Sequence, residues 1–265
     1  MISDIQGIEG IGPAKAEILA SKGIKNAEEL SIMDPEELKV LLLCSLAVAK
    51  KIIKSAKDLT KESVRLIDGA DYQAERDATI QYISTGSTQL DSMFFGGKGV
   101  PTDSITAFYG IFASGKTQLC NQLAVNMKKQ YGRKTAWVET EATTLVLPRI
   151  VEIAKSKGVE YDLKKDIIAV PAKFMETPTH QFKAYEGIEE KIKSGVDIGL
   201  IVIDSFNALT RSCYSGRERL PARSAEEGRH IGYLQRLASK YNIAVVLTLQ
   251  GVNKIHSIAT KQIIL

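Results

Sequence analysis

The sequence predicts an α/β domain built on a mostly parallel sheet, preceded by a small all-α unit. Two observations carry this. From Ile83 onward, short apolar runs alternate with stretches of helical periodicity. Runs that are apolar at every residue, rather than at every second one, belong to strands covered on both faces. Over residues 1–58, by contrast, apolar residues recur at helical spacing and the connections carry Gly and Asp-Pro turn chemistry. A length of 265 residues accommodates one large and one small domain. With 44% hydrophobic and 25% charged residues the composition is that of a globular protein, which excludes collagen, coiled coil and wholesale disorder.

In the first unit the apolar helix faces are Ala16, Leu19 and Ala20, then Leu38, Leu41 and Leu42, then Ile52, Ile53 and Ala56. Turn and helix-start signals separate them at Gly10-Ile11-Gly12-Pro13, Lys22-Gly23 and Asp34-Pro35. Residues 59–82 are charged and weakly periodic (Lys61, Glu62, Arg65, Asp68), which predicts a linker. In the larger domain, strands are expected at 105–109, 135–138, 167–170, 199–203 and 243–247, and Leu119, Leu123 and Met127 mark a helix face after the first.

A net charge of +4 permits nucleic-acid binding without demonstrating it. Cys44, Cys120 and Cys213 form no C-x-x-C pair, so neither a disulfide framework nor a zinc site is indicated. The start lacks a basic segment followed by an apolar one, and no apolar run reaches the roughly 20 residues of a membrane span. A soluble cytoplasmic protein without a membrane partner is expected.

Gly110-Ile111-Phe112-Ala113-Ser114-Gly115-Lys116-Thr117 fits G-x-x-x-x-G-K-[ST] in full, between an expected strand and an expected helix. The glycines let backbone N–H groups approach phosphate oxygens, and the helix directs its positive end at the same anion. Lys116 neutralises β/γ charge, and the Thr117 hydroxyl can ligate Mg²⁺. Leu200-Ile201-Val202-Ile203-Asp204 is an apolar strand ending in a carboxylate, the form of a second metal ligand. Glu139 and Glu141 follow the 135–138 strand; in a strand they share a face, so spacing alone does not choose the group that would activate water. Gln250 follows the 243–247 strand, where its amide could sense a γ-phosphate.

Together these features resemble the archaeal RadA and eukaryotic recombinase branch of the RecA family. The resemblance covers almost the whole chain. It includes Ile83-Ser84-Thr85-Gly86, the phosphate loop continued by Gln118-Leu119-Cys120, Thr140-Glu141, Tyr214-Ser215-Gly216-Arg217, Leu220-Pro221-Ala222-Arg223, Leu234-Gln235-Arg236-Leu237-Ala238 and Asn242-Ile243-Ala244-Val245-Val246. It implies a RecA-like P-loop ATPase core over 83–265 after a helix-hairpin-helix domain over 1–58. The implied activity is a DNA-dependent ATPase that binds ATP and Mg²⁺, forms filaments on single-stranded DNA and exchanges strands with double-stranded DNA at the nucleoid. The alternative is an accessory paralogue that binds ATP and a partner recombinase without strand exchange. By position, Glu141 falls on the catalytic glutamate, beside Lys116 and Gln250. Gly110, Ile111, Phe112, Ala113, Ser114, Gly115, Lys116, Thr117, Gln118 and Arg149 fall on nucleotide-binding positions, and Thr117 and Asp204 on metal-binding ones. Gly10 and Gly12 fall on the DNA-facing hairpin. Arg211, Arg217 and Arg223 fall on the first DNA-binding loop.

Three departures stand out. Ile111 replaces a glutamate, and Ala113 occupies a position that is commonly Gly or Arg. The Phe-x-x-Ala plug that docks one subunit on the next becomes Ile67-Asp68-Gly69-Ala70, so Ile67 and Ala70 are the expected subunit interface. After Gln250 the family's second DNA loop and further strands are expected to be shortened, with His256-Ser257 matching a histidine that reaches a neighbouring nucleotide.

Overall fold

Helix starts in the first unit follow its side-chain chemistry. In the computed structural model, which describes residues 5–24, 26–60, 66–94, 97–142 and 145–250 and the backbone of 261–264, α1 (Pro13–Ser21) begins with a proline, whose missing N–H would have had no helical partner. α2 (Ala27–Ser31) is capped by Asn26, which accepts from the Glu29 N–H at 2.9 Å. α3 (Pro35–Leu41) is capped by Asp34, which accepts from Glu36 N–H at 2.8 Å and Glu37 N–H at 3.3 Å. α4 (Leu46–Thr60) completes the set. Leu19, Leu30, Leu38 and Ile52 are fully buried between them in one core.

Both hairpins of this unit use a residue with positive φ. Gly10, three residues before α1, has φ +92°, and a Cβ there would lie 3.1 Å from Ile52 Cγ1. Leu43, three residues before α4, adopts φ +48° with its side chain 92% exposed. The first turn uses the residue suited to left-handed backbone; the second forces a leucine into it.

The chain divides into compact units over Met1–Glu75 and Arg76–Leu265. Across that division runs α5 (Gly69–Thr79), none of whose residues is buried. The stretch expected to be a linker therefore contains a helix that apolar periodicity could not reveal. Ala, Gln, Glu and Arg favour the helical backbone, with Asp71 in the first turn and Arg76 in the last complementing its dipole. Tyr82–Ile83 (β1) and, after α6 (Thr88–Ser92), Val100–Pro101 (β2) then form a short antiparallel pair.

The larger unit holds β3 (Ser104–Gly110), α7 (Lys116–Tyr131), β4 (Lys134–Glu139), α8 (Leu147–Ser156), β5 (Ile167–Val170), α9 (Pro178–Lys193), β6 (Ile198–Asp204), α10 (Ala208–Cys213), α11 (Leu220–Tyr241), β7 (Ala244–Gln250) and β8 (Lys261–Ile264). The strands form one parallel sheet in the order β5-β4-β6-β7-β3-β8. Phe108, Trp137, Leu200, Val202 and Val246 pack on one face with α7 and α8. Ile105, Ala136, Val138, Ile201, Ile203 and Val245 pack on the other with α9 and α11. Double coverage is why the strands read as continuous apolar runs.

Register decides where function can reside. Gly110 pairs with Gln250, and Glu139 pairs with Asp204. The C-terminal ends of β3, β7, β4 and β6 are thus brought level at one sheet edge, the usual place of ligand crevices in open parallel sheets. Among the described residues no helix is long and apolar enough to cross a membrane.

The hairpin comparison yields opposite expectations for two substitutions. Leu43→Asn should stabilise the first unit by about 1 kcal/mol, because asparagine tolerates left-handed backbone. Gly10→Ala should destabilise it by about 1–2 kcal/mol through strain and the Ile52 contact. Hydrogen exchange of the Leu19 and Ile52 amides in the full chain reads both; equal opening free energies for the variants would refute the assignment.

Candidate functional site

The loop between β3 and α7 carries positive φ at Ala113 (+62°) and Gly115 (+89°). Ala113 thus sits in a left-handed conformation that glycine takes without cost and an L-residue only with strain. Lys116 folds back into the loop, donating to the carbonyls of Gly110 (3.1 Å) and Ile111 (2.8 Å) and to Ser114 Oγ (3.3 Å). Desolvation lowers its pKa below the ordinary lysine value, partly offset by the carboxylates of Asp204 and Glu141. The Ile111 side chain is 74% exposed, so this residue serves the loop through its carbonyl.

Asp204 ends β6 at 2% exposure. Its Oδ2 accepts from Thr117 Oγ1 at 2.9 Å, and its Oδ1 accepts from Thr248 Oγ1 on β7. Burial raises its pKa above the usual aspartate value, while the two hydroxyls oppose that shift. Thr117 and Asp204 therefore place two hard oxygen donors side by side, which fits Mg²⁺, an ion that takes its remaining ligands from phosphate and water. Among the described residues no group of three His, Cys, Asp or Glu could hold a metal by itself.

The two glutamates separate. β4 ends at Glu139, whose carboxylate accepts from the backbone N–H of Leu145 (3.0 Å) and Ala172 (3.2 Å) and so serves the loops. Thr140 then leaves the strand, its N–H bonding the Asp204 carbonyl at 2.8 Å and its hydroxyl the Ser205 carbonyl. Glu141 lies beyond this staple and accepts from Ser205 Oγ at 2.8 Å. The expectation of a shared strand face fails because the strand stops between the two residues. A cleft of about 350 Å³ gathers Lys116, Thr117, Gln118, Glu141, Asp204 and Gln250, with Phe112, Ala113, Ser114, Gly115, Val146 and Ser205 completing its lining. Arg149 joins it indirectly, through Nε to Gln118 Oε1 at 3.2 Å, while its Nη1 bonds Glu152 at 2.7 Å.

The arginines after β6 surround a shallow pocket of about 330 Å³, lined by Arg211, Tyr214, Arg217, Leu220 and Arg223 with Ser215 and Gly216. Arg211 Nη1 donates to the Gln250 carbonyl at 3.4 Å. Arg223 Nε bonds Glu227 at 2.8 Å, and the same carboxylate accepts from Thr210 at 2.6 Å. Farther along α11, Arg229 pairs with Glu226 and lies 4.0 Å over the Phe182 ring, a packing role. In the first unit, Lys15 Nζ bonds the Gly10 carbonyl at 2.9 Å, and Gly12 is the N-cap of α1. Ile67 is half-buried, and Ala70 is exposed in the first turn of α5. His256 and Ser257 lie outside the described residues. Sequence reasoning missed Ser205 and Thr248; the latter stands two residues before Gln250 on the same strand face, a period-two signal that could have flagged it.

A Rad51 family model matches residues 75–263, and a model of tandem SAM-like helix-hairpin-helix repeats matches residues 2–58. The chain is similar to the DNA repair and recombination protein RadA of Metallosphaera sedula, at 31% identity over 255 residues that cover 94% of this chain and 76% of that protein.

Asp204 illustrates a site held against stability. A carboxyl whose pKa is higher folded than unfolded gives its full stabilisation below the unfolded value, and that contribution is lost as pH rises through the folded one. Asp204→Asn should therefore raise the unfolding free energy of the unliganded chain at pH 7, with the gain shrinking as pH falls through the carboxyl range. Urea melts at pH 7 and at acidic pH test this; a loss of stability at pH 7 would contradict it.

Proposed function

Because the chain belongs to the Rad51 family, we propose that it is a DNA repair and recombination protein: a DNA-dependent ATPase that binds single-stranded DNA, assembles on it, and pairs it with duplex DNA in the cytoplasm at the nucleoid. One observation carries the reading. The phosphate loop, Asp204, Glu141 and Gln250 meet in one cleft, and the Gln250 carbonyl is held by Arg211 of the arginine pocket.

In this reading the loop N–H groups and the start of α7 receive the phosphates, and Lys116 exchanges loop carbonyls for phosphate oxygens. Thr117 and Asp204 would hold Mg²⁺, which supplies neutralisation of phosphate charge. Glu141 orients the attacking water and takes its proton as the water oxygen bonds the γ-phosphorus and the bond to the β–γ bridging oxygen breaks, giving ADP and phosphate. Gln250 senses the γ-phosphate by its amide, and Arg149 orders the nucleotide side of the cleft through Gln118.

Arg211, Arg217 and Arg223 are assigned to DNA phosphates, in contacts that carry no sequence information. Arg223 must exchange Glu227 for phosphate to do so. Gly10 and Gly12 present the first hairpin's backbone to a further phosphate. Ile67 and Ala70 dock one subunit on the next. The Ile at 67, smaller than an aromatic, favours weak self-association, and with it the second reading: an accessory paralogue that binds ATP and a partner recombinase without strand exchange. Electron microscopy with single-stranded DNA and an ATP analogue separates the two, since filaments support the first and discrete particles the second.

Two sets of variants test the chemistry. Lys116→Ala should abolish turnover and weaken ATP binding, whereas Glu141→Gln should retain ATP and slow hydrolysis about 100-fold or more. Glu139→Gln should hydrolyse at close to the wild-type rate; the reverse ranking in a phosphate-release assay would transfer the role to Glu139. Arg217→Ala should weaken single-stranded DNA binding and reduce the slope of log affinity against log salt by about 0.7. An unchanged slope would remove Arg217 from the DNA surface.

A further inference from the structure

Ser205 follows Asp204 in the chain but belongs neither to the metal donors nor to the phosphate loop. It is nearly buried, and its Oγ donates to Glu141 Oε2 at 2.8 Å. The hydroxyl is presented from a fixed backbone. Thr140, the residue before Glu141, bonds the Asp204 carbonyl through its N–H and the Ser205 carbonyl through its hydroxyl. On the other side, the Phe206 N–H bonds the Thr248 carbonyl at 2.9 Å, and the Phe206 carbonyl accepts from buried Gln181 Nε2 at 3.1 Å. Glu141 itself stands beyond the end of β4, so no strand pairing sets the direction of its side chain.

We infer that Ser205 is the positioning residue for Glu141, holding one carboxylate oxygen so that the group is aligned before water and nucleotide arrive. The inference rests on the proposed ATPase reading. A glutamate on a loop has several rotamers, and a hydrogen bond from an anchored donor removes that freedom in advance. The Lys116 ammonium gives the constraint a second purpose. It interacts electrostatically with Glu141, and a carboxylate released from Ser205 would be drawn toward it, removing base and phosphate ligand together. Ser205 is thus the link by which the register of β4 and β6, which sets Thr140 against Asp204, reaches the catalytic carboxylate.

The test is a kinetic cycle on the full chain with single-stranded DNA, Mg²⁺ and ATP, using Ser205→Ala and Ser205→Thr in the wild-type and Glu141→Gln backgrounds. Single-turnover measurements with labelled ATP extend it to slow variants. Ser205→Ala should lower kcat about tenfold while KM for ATP and the half-saturating Mg²⁺ concentration stay within about twofold. Ser205→Thr, which keeps the hydroxyl, should recover kcat to within about threefold of wild type, a rescue that a loss of folding would not give. In the Glu141→Gln background, Ser205→Ala should change the rate less than about twofold, because the carboxylate it positions is gone. The inference is overturned by an unchanged kcat in Ser205→Ala, by a shift in Mg²⁺ requirement or KM in place of kcat, or by a tenfold loss that persists without Glu141. If the wild-type chain hydrolyses no ATP, the ATPase reading falls and this inference with it. A hydrolysing wild type matched by Ser205→Ala removes the inference alone.

Discussion

The carboxylate of Asp204 is the point from which the cleft at the strand ends is laid out. A charged group at the end of a strand buried on both faces is unfavourable unless its oxygens are occupied, and here two threonine hydroxyls occupy them. One comes from the first turn of α7 and the other from β7. The same interaction that satisfies the carboxylate therefore fixes the phosphate loop's helix and the strand of Gln250 relative to β6. Thr140 and Ser205 add β4 to the set. Four segments distant in the chain are held to one another through hydrogen bonds at Asp204 and its neighbour Ser205.

Several cations of the cleft and of the arginine pocket rest on acceptors of the chain itself. Lys116 lies on carbonyls of its own loop, Arg211 on the Gln250 carbonyl, and Arg223 on Glu227. Each engagement satisfies a partly desolvated charge, and under the proposed function each would be exchanged for a phosphate. In that reading, binding of either phosphate ligand is an exchange of hydrogen bonds whose net free energy is smaller than the new contacts suggest. Arg211 also gives the arginine pocket a direct mechanical connection to the end of β7.

The first unit has two turns with positive φ, at Gly10 and at Leu43, that place different residues in that backbone region. Gly10 meets the left-handed turn with the residue that suits it, and its missing Cβ leaves room for Ile52. Leu43 meets left-handed backbone with an exposed apolar side chain and the attendant strain. The core of Leu19, Leu30, Leu38 and Ile52 supports both turns, which is how the less suitable residue is tolerated.

Local physics made much of this chain legible in advance. The phosphate loop needs its residues consecutive, strands covered on both faces need continuous apolar runs, and caps such as Asp34 act within one turn, so all could be read from neighbouring letters. The helix at 69–79 could not, because it buries no face and leaves no periodic trace. The site divided in the same way: Lys116, Thr117 and Asp204 announced themselves by motif, but Glu139 and Glu141 stayed equivalent on spacing. The family resemblance pointed to Glu141, and the tertiary structure supplied the physical difference, by ending β4 at Glu139 and turning Thr140 onto the neighbouring strand. Ser205 and Thr248 emerged there as well, since each acquires its role from a partner many residues away. A one-dimensional pattern records what a residue demands of its neighbours; the register of a parallel sheet, which sets strand ends level, is a relation between segments that no single segment encodes.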